Sequence, residues 1–117
     1  MNFMLMVNYH NKVFKTKNNS DNGETSNDTL FYYKQIGNIV HAEYFGGMIK
    51  YGQLMGIVSE YGTIEMNYHH INQDGNIRTG ICESIPEILS NGKIRLHEKW
   101  QWTNGDLSSG KSIIEEE

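Results

Sequence analysis

The sequence of 117 residues has one cysteine, one proline and ten basic side chains, and each scarcity excludes something. A lone Cys82 cannot close an internal disulfide, whereas small secreted domains carry an even set of cysteines. The expectation is a reducing, cytoplasmic compartment. Fourteen acidic residues against ten basic ones leave a net charge of −4. A reader of phosphate backbones shows a basic patch or stripe, and no cluster of Lys and Arg interleaved with aromatics occurs, so nucleic acid is not an expected partner. No apolar run approaches the roughly 20 residues that span a bilayer as a helix, which argues against a membrane. The apolar start, Met1 to Val7, lacks a basic n-region and a small-residue cleavage site. It reads as a first strand, or as an extension ahead of an alternative start at Met6.

Helix signals are as scarce as proline. Ser84 to Leu89 can hold one turn, with Ser84 as cap and Glu87 three residues later. What the chain does have is glycine, 12 residues of it, much of it in turn pairs: Asn22-Gly23, Gly37-Asn38, Gly46-Gly47, Tyr61-Gly62, Asp74-Gly75, Asn91-Gly92 and Asn104-Gly105. Strand-plus-turn units of about 8–12 residues mark an all-β domain. The pieces between turns predict eight strands: Val7–Lys17, Thr29–Gln35, Asn38–Phe45, Met48–Val58, Thr63–Ile71, Ile77–Ser84, Lys93–Thr103 and Lys111–Glu115. The polar stretch Asn18 to Asp28 is the longest loop and the one expected to be mobile. Gly52 and Gly56 inside the fourth strand suggest bulges or sharp curvature.

Side chains alternate faces along a strand. Ile64, Met66, Tyr68 and His70 share one face of the fifth strand. Ile94, Leu96, Glu98, Trp100 and Trp102 share one face of the seventh, and Val40, Ala42 and Tyr44 one face of the third. One face packed and one wet is the antiparallel pattern. Eight such strands in one domain spanning residues 1–117 predict an up-and-down meander. Closure into an eight-stranded barrel removes unprotected edges and leaves an interior that is filled or holds one small ligand. A strongly curved open sheet and a two-sheet sandwich are the alternatives.

Two residues break the packed face. A carboxylate at Glu98, between Leu96 and Trp100, has to find a partner, take a proton or face a wet cavity. It is either a polar anchor for a ligand or a structural group tied to an interior Arg, Tyr or backbone donor. His70 is either a satisfied core histidine or a ligand hydrogen-bonder. Across the interior it could also approach Glu98, and such a pair can do acid–base work. Tyr44, Tyr68, Trp100 and Trp102 either line a small-molecule site or fill an ordinary core. His41, His69 and His97 fall on outer faces, so no metal site is expected, and nothing calls for a cofactor. Cys82 reads as a packing residue. The loop from Asn104 to Gly110 lacks the lysine and helix of a phosphate loop and reads as a hairpin at one barrel mouth. The aromatic run Phe31 to Tyr33 suggests an edge strand and, with it, a homodimer.

The runs Ile94 to Thr103, Gly105-Asp106 and Ser108-Ser109-Gly110, with Tyr68 to Asn72 and Ala42 to Gly47, carry a resemblance. From about Met6 onward the chain resembles a family of small bacterial proteins labelled N-acetylglutamate synthase, which implies an acetyltransferase using acetyl-CoA and glutamate. No residue roles come with the resemblance. A glycine-rich turn feeding a helix ordinarily cradles such a pyrophosphate, and the chain has neither. The more general likeness is to lipocalin-like or streptavidin-like small barrels, which implies a small-molecule ligand in the interior.

Overall fold

The structure, a computed structural model, describes residues 7–117. The choice between Met1 and Met6 as the start lies outside the described residues. Eight antiparallel strands follow one another round a closed barrel: β1 (Lys12–Asn19), β2 (Leu30–Ile36), β3 (Ile39–Gly46), β4 (Ile49–Val58), β5 (Ile64–Asn72), β6 (Ile77–Ile88), β7 (Ile94–Trp102) and β8 (Ser109–Glu116). Closure is made by β1 on β8, from Phe14↔Glu116 to Asn19↔Ser112. The open sheet and the sandwich are thereby ruled out. β2 is not an edge either. Phe31 pairs with Phe14 on one side and Tyr44 on the other, and Phe31 and Tyr33 point into the core.

Six of the seven turn signals carry a glycine at positive φ: Gly37, Gly46 with Gly47, Gly62, Gly75, Gly92 and Gly105. Only glycine occupies that region without steric cost, which is why the pairs locate the hairpins. The exception, Asn22-Gly23, lies inside the long β1–β2 loop.

The strands depart from expectation at three places. β1 begins at Lys12 because Asn11 takes φ 61° and breaks the extended run. Residues 7–11 fold over one end of the barrel, where fully buried Tyr9 packs on Phe14 and Tyr33 and its hydroxyl donates to the Gly62 carbonyl. The helical turn at Ser84–Leu89 does not form, and β6 runs straight through it to Ile88. The reason is the register. β5 stops pairing at Ser84, while β7 pairs with β6 as far as Ile88, so Pro86 lies in an overhang bonded on one side, where a missing N–H is tolerated. The β4 bulge falls between Ile49 and Tyr51, not at Gly52 or Gly56.

Gly52 serves another purpose, shared with Gly80 and Gly110. Gly52 lies directly across from Tyr44, Gly80 from Tyr68 and Gly110 from Trp100. In each pair the aromatic ring lies over the glycine, in space that a Cβ would occupy. The aromatic wall of the interior is therefore built on a matching set of glycines, one strand away.

The interior is divided along the barrel axis. Towards the end capped by Tyr9 it is filled by Phe14, Tyr33, Val40, Ile64, Leu96 and Ile114. The other end, where the β1–β2, β3–β4, β5–β6 and β7–β8 connections gather, keeps the polar groups and a cavity.

Candidate functional site

All six candidate residues face that cavity, which measures about 50 Å³. Strand parity puts them there. Tyr44 on β3, Tyr68 and His70 on β5, and Glu98, Trp100 and Trp102 on β7 continue the inward set of their strands. The His70 ring meets Tyr44 and Trp102 edge-on, with centroids 5.6 and 5.8 Å apart, and stacks at 6.5 Å on Tyr68. Trp102 in turn packs at 5.2 Å on Trp100.

His70 is the centre of a hydrogen-bonded chain. Its Nδ1 is 2.8 Å from the Tyr44 hydroxyl, and its Nε2 is 2.8 Å from Glu24 Oε1. A carboxylate only accepts, so Nε2 carries the hydrogen. Burial holds the imidazole below its ordinary pKa of 6.5, against the opposing pull of Glu24. The neutral ring with hydrogen on Nε2 follows, and Tyr44 donates to Nδ1. Burial, with a smaller push from nearby Tyr68, Glu24 and Glu98, drives the Tyr44 pKa well above its usual value, so Tyr44 stays a donor.

Glu98 does not pair with His70. Its Oε2 accepts from Ser84 Oγ at 2.6 Å and its Oε1 from Ser112 Oγ at 3.0 Å. Of the alternatives, the acid–base pair across the interior does not form, because neighbouring strands reach the carboxylate first: Ser84 and Ser112 lie directly beside Glu98 on β6 and β8. Burial raises the Glu98 pKa, and the hydroxyl bonds moderate the rise. No lysine, arginine or histidine bonds it. The Tyr33 hydroxyl, in a residue 1% exposed, has no hydrogen-bond partner among the described residues. Cys82 also borders the cavity, and burial pushes its thiol well up, which fits a packing role rather than a nucleophile. Among the described residues no group of three His, Cys, Asp or Glu side chains comes together to hold a metal. His69 and His97 are exposed on the outer face, as their parity requires.

Three contributors went unseen in the sequence. Glu24, from the loop expected to be merely mobile, reaches into the mouth and takes hydrogen bonds from His70, Asn72 Nδ2 and Arg78 Nη1. Asn72 and Arg78 carry a readable signal, since Asn72 is two residues beyond His70 and Arg78 two before Gly80, each in inward phase. Glu24 has none, because a loop has no periodicity. The same loop accepts the indole N–H of Trp102 at the Asn22 carbonyl, 3.1 Å away, while Trp100 donates to Asn19 Oδ1 at 3.1 Å.

The geometry defines the class: a small up-and-down eight-stranded barrel, packed at one end and lined at the other by aromatics with a few converging polar groups. The particular assignment follows from sequence comparison. Residues 7–117 match the family described as Avidin-like protein, and the chain belongs to that family. No curated protein and no solved structure matches it. The family match supports the streptavidin-like likeness and lends nothing to the N-acetylglutamate synthase label.

Proposed function

We propose that this chain binds a small molecule in the upper half of its barrel, against Tyr44, Tyr68, His70, Trp100 and Trp102, with Glu98 as a polar anchor at the inner end. One observation carries the reading. One aromatic-walled cavity in the barrel is faced by the imidazole of His70 and the carboxylates of Glu98 and Glu24, which is how small-molecule sites combine apolar area with a few orienting contacts. A carboxylate whose only partners are two hydroxyls favours a ligand that donates to it, such as an N–H group.

Membership of an avidin-like family makes biotin the first molecule to test. Isothermal titration of biotin into the protein, followed by a panel of cyclic ureas and amides, should give saturable one-site binding that weakens at least tenfold in Glu98→Ala. If nothing in the panel binds at millimolar concentration, the reading is wrong.

A second reading concerns the outside. Ile39, Met55, Ile57 and Ile81 line an outer groove across β3, β4, β5 and β6, and all four are at least 44% exposed. An apolar strip of that kind suits association with a second copy of the barrel through sheet faces rather than edges. Light scattering should then report a dimer or larger assembly that Ile57→Lys dissociates.

A further inference from the structure

The cavity is too small for the ligand that the reading above requires. Small-molecule pockets occupy roughly 300–1,000 Å³, against about 50 Å³ here. What fills the rest of the mouth is the chain itself. The Glu24 carboxylate lies 2.8 Å from His70 Nε2, 2.9 Å from Arg78 Nη1 and 3.2 Å from Asn72 Nδ2. These three donors come from the ends of β5 and β6, and Arg78 lies over Trp102 with its guanidinium carbon 3.9 Å from the ring centroid. They form a carboxylate receptor. One further donor, Arg78 Nε, is buried and has no acceptor among the described residues, so the receptor has more capacity than Glu24 uses.

We propose that His70, Asn72 and Arg78 are the recognition site for an anionic group of the ligand, a carboxylate by preference, and that Glu24 occupies it as an internal stand-in that the ligand displaces. The proposal rests on the interior-ligand reading and adds the chemistry of the ligand's outer end.

The loop is built to be displaced. From Ser20 to Asp28 it has no apolar side chain, so nothing hydrophobic anchors it. It is held by hydrogen bonds: Ser20 to Lys111, Asn22 to Ser108, Ser109 and the Trp102 indole, Thr25 to Thr16 and Asn19, and Glu24 to the receptor. The neutral bonds exchange for bonds to water at small net cost, the charged ones of Glu24 exchange for those of the ligand's own anion, and segments with few buried apolar contacts open first. Exchange of one carboxylate for another leaves the charge beside Arg78 unchanged. It also frees the Trp102 indole N–H from the Asn22 carbonyl and uncovers the tryptophan wall. The stand-in lowers apparent affinity by the fraction of time the receptor is free, so its removal tightens binding.

The test uses a minimal probe pair, hexanoate and its neutral counterpart hexanamide, followed by NMR at the His70 ring and the two indole N–H groups. Glu24→Ala should bind hexanoate roughly tenfold or more tightly than the wild type and should ignore hexanamide at the same concentrations. Glu24→Ala combined with Arg78→Gln should lose hexanoate while keeping a dispersed, folded spectrum. Equal binding of the two probes overturns the anion receptor. Equal hexanoate affinity in wild type and Glu24→Ala overturns the stand-in. Either failure leaves the interior-ligand reading standing if biotin or another panel member binds. Success here with no panel member bound would leave an anion site at the mouth and overturn the interior-ligand reading.

Discussion

The Tyr44 hydroxyl lies 2.8 Å from Nδ1 of His70, between two side chains that are each 2% exposed. This bond joins β3 to β5 across β4 and fixes the imidazole so that Nε2 faces the mouth. Tyr44→Phe keeps the ring over Gly52 and deletes only the donor. A buried acceptor left unpaired costs about 1–3 kcal/mol. Denaturant unfolding should show a loss of that size, and the His70 ring should lose its single orientation in nuclear Overhauser contacts to Trp102.

His70 itself should titrate below 6.5. Burial is the main cause and Glu24 opposes it, so Glu24→Gln should move the midpoint further down, not up. Between the folded midpoint and 6.5 the unfolded chain holds a proton that the folded chain does not. Stability therefore falls as pH drops through that window. Imidazole C–H shifts followed from pH 8 to 4 check both statements.

Glu98 has the opposite sign. Its folded pKa is raised, so the folded state binds the extra proton between the ordinary carboxylate value and the raised one, and stability falls as pH rises across that interval. Glu98→Gln can accept from one serine and donate to the other. Its melting temperature at pH 8 should equal or exceed that of the wild type, with the pH dependence above about 4.3 flattened. A variant clearly less stable at pH 8 would show that Ser84 and Ser112 hold the charged form more tightly than burial opposes it.

Gly80→Ala places a methyl where the Tyr68 ring lies. The backbone at Gly80 is ordinary strand, so the effect is one of space. Overpacking of this kind costs about 1–3 kcal/mol, and the displaced ring moves into the cavity. Thermal melts should show the loss, and binding should weaken with it. Gly92→Ala, at a turn with open space around it but φ of 86°, separates the two causes: it should destabilise through the backbone and leave binding intact.

Much of this architecture was legible because its determinants are local. Left-handed glycines mark the hairpins, and a period of two sorts Tyr44, Tyr68, His70, Glu98, Trp100 and Trp102 to one side. Register was not legible, and it decides the finer points. The overhang of β6 past β5 makes Pro86 a strand residue. The serines beside Glu98 take the carboxylate that parity alone left free to meet His70. The cross-strand glycines under Tyr44, Tyr68 and Trp100 are visible only once the strands are paired. Glu24 was out of reach for a different reason: a polar loop folded inward by hydrogen bonds looks, in sequence, like any polar loop.

The central claim is that the space beneath the β1–β2 loop is a ligand site. Trp100 and Trp102 are the only tryptophans in the chain, both indoles border that space, and both donate their N–H to residues of the loop or its root. Two indole resonances therefore report on it directly during a biotin titration. The account predicts that both shift saturably with one dissociation constant, equal to that from calorimetry. Binding seen by calorimetry while neither indole resonance moves would place the ligand elsewhere and contradict it.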